Sequence, residues 1–364
     1  MKRAMICRSV IFTLISAVVL IPRFSVPETP RNEPDRPINA ATSAEVIQNI
    51  LKQLNELYVF PEVAAQMESA IRTRVRGGDY EHVTSSASLA QLLTEHLREV
   101  SHDEHLSVNY SHNSIPVNSA KTRPSPEELE RMQRFAIRVN FGFEKIDRLE
   151  GNIGYIRIDG FIPVEAGAET AIAAMNFLAH TDALIFDLRE SAAGGDPSMV
   201  VFLSSYLFND EPVHLNDLYW RKGNRTQQYW TLQYVPGRRY LGKPVYILTS
   251  KRTFSAGEEL AYNLQALKRA TVIGEITGGG ANPGEEVRIS EHFAVFIPGG
   301  RAINPVTKTN WEGKGVKPDI EVPETQALKT AHLTALRKLA ETSRDEKARR
   351  ELMGLIETLQ DRPR

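Results

Sequence analysis

The stretch Thr249-Ser250-Lys251-Arg252-Thr253-Phe254-Ser255-Ala256-Gly257-Glu258-Glu259 leaves an apolar run, Val245 to Leu248, and enters a helical pattern that begins near Ser255. A serine at the first turn of a helix can serve as a nucleophile, because free backbone N–H groups and the positive end of the helix dipole there stabilise an oxyanion. It can equally do no more than cap the helix, a role worth about 1 kcal/mol. A second strand exit, Asp187-Leu188-Arg189-Glu190-Ser191-Ala192-Ala193-Gly194-Gly195, ends in two glycines just before another helical stretch. Gly194 and Gly195 either let the main chain approach a substrate and offer a further oxyanion N–H, or only turn the chain.

The segment Val100-Ser101-His102-Asp103-Glu104-His105-Leu106-Ser107-Val108 gathers two histidines and two carboxylates. Three readings stand. It is a solvated charged loop; or a metal site through His102 and His105, although HxxH is not the HExxH spacing of helical metalloproteases; or it supplies a general base. In the last case His105 is the better candidate, since it leads directly into apolar Leu106 and Val108 and a short strand can hold it. His96 falls near the apolar face of a helix and reads as structural. Towards the C-terminus, Glu312 in Asn310-Trp311-Glu312-Gly313-Lys314-Gly315-Val316-Lys317-Pro318-Asp319 either orients an active-site group or is a loop acid. The glycine-rich stretch Gly278 to Gly284 has neither the Lys-Ser/Thr of a P-loop nor GxGxxG spacing, which excludes nucleotide binding through those motifs.

Positioning these residues requires a fold with several strand exits at one edge. The chain has 364 residues, 41% hydrophobic and 24% charged, an ordinary globular balance with length for about two domains. The formal net charge of −1 gives no overall field for a phosphate backbone, so nucleic acid is not an expected partner. Lys2, Arg3 and Arg8 precede an apolar run from Ser9 to Ile21, too short for a comfortable membrane span. This predicts export, to the periplasm or beyond the cell. Residues 1–25 are a signal peptide or, if uncleaved, an anchor that is the chain's one expected membrane contact. Cys7, the sole cysteine, lies in that segment, so disulfide, zinc-thiolate and cysteine chemistry are not expected in the mature protein.

Residues 26–41 read as a Pro-rich linker. Thr42 and Glu45 make a capping-box pattern for a first helix carrying Val46, Ile47, Ile50, Leu51, Leu54 and Tyr58 on one face. Pro61 opens a second helix, stopped by Gly77 and Gly78, and Leu89 to Val100 marks a third, giving a helical N-terminal domain over 42–118. From residue 119 to 322 the pattern alternates strand and helix: Ile153 to Ile158, Ala183 to Leu188 and Val245 to Leu248 are strands, with a helix over Pro197 to Phe208. Val287 to Ile297 alternates as one later antiparallel strand, and residues 323–364 form a charged amphipathic helical tail. The class is α/β.

Taken in order, D-x-H (Asp103 to His105), D-L-R…G-G (Asp187 to Gly195), T-F-S-A-G-E-E (Thr253 to Glu259), G-E-x-T-G-G-G (Gly274 to Gly280) and W-E-G-x-G-V-x-P-D (Trp311 to Asp319) make the chain resemble the S41 peptidases over residues 42–322. These are tail-specific, C-terminal-processing proteases, and the nearer likeness is to the branch related to tricorn core protease and interphotoreceptor retinoid-binding protein. The resemblance implies a ClpP/crotonase-like α/β catalytic domain and a serine-peptidase mechanism acting on peptides or proteins without a cofactor or metal. It casts Ser255 as nucleophile, His105 as general base, Glu312 as the supporting acid, and Ala256 N–H with Gly194 or Gly195 N–H as the oxyanion hole. Three features depart from the family pattern. Gly274 to Gly280 carries no lysine, which disfavours a Ser-Lys dyad; Glu104 stands where tricorn-like enzymes have serine; Ser191 and one extra residue precede the glycines. No PDZ-like insertion is evident, and nothing signals an oligomeric state. The alternative the same resemblance allows is a non-catalytic binder of apolar small molecules.

Overall fold

The computed structural model describes residues 35–117, 125–192 and 194–361. The N-terminal leader and most of the Pro-rich stretch lie outside the described residues.

Three helices open the fold: α1 (Ala40–Leu57), α2 (Pro61–Gly77) and α3 (Ser86–Ser101). α1 starts two residues before Thr42, because Asn39 is its cap and the Asn39 side chain accepts from Thr42 N–H at 2.9 Å. The chain is already packed ahead of it. Ile38 is buried, Ile38 N–H donates to Thr84 O, and the Asp35 carboxylate accepts from Ala87 N–H, so residues 35–39 dock on the start of α3 rather than forming linker. α2 has Pro61 at its first turn, where the missing N–H costs nothing, and Gly78 at φ 83° closes it. The apolar faces, Val46, Ile50 and Leu54 against Met67, Ile71, Leu89, Leu93 and Leu97, make one core.

That core is not helical alone. β1 (Ser107–Tyr110) pairs antiparallel with Phe293–Pro298, which also pairs with Gly284–Arg288; Phe293, Val295 and Ile297 lie in the same core. The single strand expected over Val287 to Ile297 is thus a hairpin, turned at 289–292, where Ile289 and Ser290 N–H both donate to Phe293 O. The expected break at residue 118 divides the sequence but not this packing.

After α4 (Pro126–Arg138) the main sheet begins. β2 (Phe143–Leu149) runs antiparallel to β3 (Ile153–Ile158); β4 (Ala183–Asp187), β7 (Val245–Thr249), β8 (Thr271–Gly274) and β12 (Ile320–Glu321) continue parallel to β3, in the order β12-β8-β7-β4-β3-β2. β4 and β7 are buried at every position, the reason they read as unbroken apolar runs. Alternate residues serve two cores: Leu184, Phe186, Val245 and Ile247 face α5 (Val164–Leu178), α6 (Pro197–Ser205) and α7 (Ala256–Ala266). Ala183, Ile185, Tyr246 and Leu248 face α8 (Glu324–Thr342) and α9 (Glu346–Asp361). The segment expected as a tail is therefore a structural layer, with Ala327, Ala331, Ala335 and Leu336 fully buried. A third sheet orders β11 (Gly300–Ile303), β5 (His214–Trp220) and β6 (Arg225–Trp230), while β9 (Gly284–Arg288) and β10 (Phe293–Pro298) form the hairpin above. Among the described residues no helix is long and apolar enough to cross a membrane.

Candidate active site

The parallel strands β4, β7 and β8 end at one edge, and the loops that leave them build the site. The turn after β7 is pinned to the exit of β4: Thr253 hydroxyl donates to Leu188 O at 2.8 Å and accepts from Ser250 N–H, and Phe254 N–H donates to Ser191 O at 3.0 Å. Ser255 follows at φ 53°, ψ −115°, and α7 starts at Ala256. A capping serine adopts extended backbone angles; Ser255 does not. A non-glycine residue in this region carries about 1–3 kcal/mol of strain, which the pinned turn sustains. The Ser255 side chain is half-buried, and Ala256 N–H has no acceptor among the described residues.

The two glycines after β4 have different neighbours. A Cβ on Gly194 would stand 2.9 Å from Ser255 Cβ and 3.1 Å from its Oγ, whereas one on Gly195 would meet Phe161 O at 2.3 Å. Gly194 O accepts from Phe161 N–H, and Asp196 N–H donates to Phe161 O, fixing the segment. Gly194 therefore lies against the serine, and neither glycine N–H finds an acceptor among the described residues.

His105 arrives from the other core, between α3 and β1. Its backbone N–H donates to Asp103 Oδ1 at 3.1 Å, and its ring packs on Phe254 with centroids 4.6 Å apart and lies nearly parallel to Phe296 at 6.1 Å. The imidazole thus rests on the residue immediately before Ser255, with no hydrogen bond joining it to the Ser255 hydroxyl in this state. Burial, with Arg98 adding to it, pushes the ring down to about 4, so it is neutral at working pH. Its Nδ1 is buried and has no hydrogen-bond partner among the described residues. Glu104 points away and pairs with Arg98 at 3.0 Å, so it does not orient His105. His102 is exposed, caps α3 at φ 53° and joins no ligand-type cluster among the described residues, so the pairing of His102 with His105 as a metal site fails.

Two carboxyls stand beside the imidazole. Asp103, His105 and Glu312 each place a donor atom within 4.8 Å of the other two. Glu312 Oε2 accepts from Ala281 N–H at 2.5 Å, while Oε1 is buried with no hydrogen-bond partner among the described residues. Asp103 accepts from Tyr58 OH at 3.1 Å, Asn282 Nδ2 at 2.9 Å and His105 N–H, which fix its carboxyl in place. Burial and then the Asp103 charge push Glu312 up to about 9, and burial raises Asp103 as well. At neutral pH the pair holds a proton.

The loops after β8 and before β12 close around this group. A Cβ on Gly280 would come 2.3 Å from Phe254 Cζ and 2.6 Å from His105 Cε1, so only glycine fits. Gly280 O accepts from Trp311 Nε1 at 2.7 Å, and Gly279 O from Gly313 N–H. The structure brings Ser255, Ala256, Gly194, His105 and Glu312 into one region and sets Gly195 aside against Phe161. Sequence reasoning gave no role to Asp103 or Glu258. The readable signal for Glu258 is its place three residues after Ser255, the S-x-x-E spacing of a capping box.

A family model for Peptidase family S41 matches residues 152–322, and one for the N-terminal domain of Peptidase_S41 in eukaryotic IRBP matches residues 40–141. Among solved structures, a putative peptidase from Parabacteroides merdae aligns at TM-score 0.54 and 20% identity, covering 77% of this chain and 90% of that one. Mature CPAF aligns at TM-score 0.55 and 10% identity over 88% of this chain and 97% of its own. A lipoprotein from Streptococcus agalactiae aligns at 0.51 and 14% identity, over 81% and 96%. At these identities the structural likenesses speak to the fold, and the family models to the lineage. The chain belongs to peptidase family S41, a family of serine-type peptidases.

Proposed function

We propose that the protein is an exported serine endopeptidase that cleaves peptide bonds through an acyl-enzyme on Ser255. The observation that carries this reading is the contact of the His105 ring with Phe254, directly before a Ser255 held at φ 53° against Gly194. When substrate fills the site, His105 Nε2 takes the Ser255 proton as Oγ attacks the scissile carbonyl, a contact that commonly tightens only on binding. The oxyanion accepts from Ala256 N–H and Gly194 N–H. His105 gives the proton to the leaving amine, then activates the water that releases the acyl group. Glu312 Oε1 accepts from His105 Nδ1–H, so the two atoms without a partner among the described residues satisfy each other, and the one negative charge that the proton-sharing Asp103–Glu312 pair retains stabilises the imidazolium.

Export rests on the basic and apolar N-terminal run, and fractionation of the host cell checks it: recovery in the cytosol alone contradicts it. For the chemistry, purified protein is incubated with a peptide library and, in parallel, with a fluorophosphonate. Cleavage and a Ser255 adduct, both lost in Ser255→Ala, are expected. Cleavage that survives Ser255→Ala, or binding of an apolar ligand with no cleavage by the wild type, overturns the reading.

A further inference from the structure

Glu258 is fully buried at the third position of α7. Its carboxylate has four donors. Oε2 accepts from Ser255 N–H at 2.9 Å and Gly280 N–H at 2.9 Å; Oε1 accepts from Gly279 N–H at 2.7 Å and from the Thr277 hydroxyl. A capping box needs only the first of these, and it normally sits at the surface. The other three donors come from a different loop, the one leaving β8. Thr277 is itself fixed, accepting from Val316 N–H at 2.6 Å.

What this loop carries gives the bonds their meaning. Gly280 fills the space against Phe254 and His105, its carbonyl holds Trp311, and the adjoining Ala281 N–H holds Glu312. Glu258 thus joins, through its two oxygens, the backbone of the nucleophile to the backbone that confines the base and the acid. A buried carboxylate is tolerated only where donors replace its water, and here three of the four are main-chain amides, fixed in number and direction. The glutamine isostere cannot substitute: one of its two ends is an NH2 group, which would face amide donors whichever way the side chain is turned.

We propose that Glu258 is a positioning residue for the acyl-transfer site, holding the Ser255 turn and the Thr277–Gly280 loop in register so that nucleophile, base and oxyanion amides align. This deepens the peptidase reading above and rests on it for its kinetic consequences. Its structural consequence stands by itself.

The test uses the full chain with Glu258→Gln, and Thr277→Val as a milder variant that keeps the carboxylate. Hydrogen exchange is followed over residues 253–257 and 277–282 in each. Both segments should exchange faster together in Glu258→Gln, and to a smaller extent in Thr277→Val. Unchanged exchange in both segments overturns the proposal, whatever the enzyme does. In the folded variants, kcat should fall by about a hundredfold for Glu258→Gln, with KM near the wild-type value. The affinity of a peptide boronate, which places an anionic oxygen at the amides, should fall in proportion, while that of the product peptide stays. A normal kcat per titrated active site, with only fewer competent sites, marks a purely structural role and overturns it. If Glu258→Gln does not fold, the same comparisons on Thr277→Val decide. A wild type that fails to label at Ser255 defeats the peptidase reading instead.

Discussion

The two halves of the site are held in different ways. The proposed nucleophile, Ser255, belongs to the main sheet: its turn is tied to the neighbouring strand exit by Thr253 and Phe254, and it sits in a strained backbone conformation beside a single continuous core. The proposed base, His105, belongs to the helical core with the β1-β10-β9 sheet, and reaches the Ser255 turn only because the two cores dock. That docking runs through Asp103, whose carboxylate links Tyr58 of the helical unit to Asn282 of the glycine-rich loop, and through Arg221, which donates to Tyr58 O at 2.7 Å. Nucleophile geometry is thus a local property, whereas base geometry is a property of an interface. Perturbations should separate accordingly.

Short of removing Ser255 or His105 themselves, the largest effect is expected where the two halves touch. Gly280→Val puts carbon where Phe254 and His105 already are, and kcat should fall about a hundredfold with the fold intact, read by steady-state kinetics beside thermal unfolding. A wild-type kcat would mean that His105 is not confined as described. Next comes Asp103→Ala, which strands Tyr58 OH, the Asn282 amide and His105 N–H. Each buried orphan costs about 1–3 kcal/mol, so with three of them a drop in stability of about 3 kcal/mol or more should appear in denaturant unfolding together with lost activity. An unchanged midpoint would argue that the interface is held elsewhere.

The third effect is a pH slope. Glu312 holds its proton up to about 9 in the folded protein against an ordinary value of 4.5. The folded state therefore binds the proton more tightly, so the stabilisation is complete below pH 4.5 and is lost as pH rises through about 9. Between these limits wild-type stability should decline relative to Glu312→Gln, and parallel curves would refute the assignment. The smallest effect is expected for Glu104→Ala. Its exposed pair with Arg98 is worth about 0–1 kcal/mol, and kcat should change less than about twofold. A large loss would mean that Glu104 acts on His105 after all.

The same division explains what the sequence made legible. Strands β4 and β7 and the helix after Ser255 are local periodic patterns, read directly, and the glycine pair stands where the turn needs it. Which glycine lies against Ser255 was not readable, because it depends on Phe161 packing from another strand. The β9-β10 hairpin hid inside one alternating run, since two antiparallel strands and a short turn share the strand period. The layer made by α8 looked like a tail because its alanines carry little pattern, although they are the residues that let the helix pack closely on the sheet. Asp103 and Glu258 fall within the motifs, yet their partners lie across the fold, at Asn282 and at Gly279 and Gly280, where sequence spacing carries no signal.

In the proposed mechanism an imidazole from one core activates a serine from the other. Single-turnover acylation by a chromogenic peptide ester measures it directly, comparing wild type with His105→Ala and locating the adduct by mass spectrometry. A Ser255 adduct that forms in a burst in the wild type and is slowed about ten-thousand-fold in His105→Ala is predicted. The same adduct forming at the wild-type rate without His105 would contradict it.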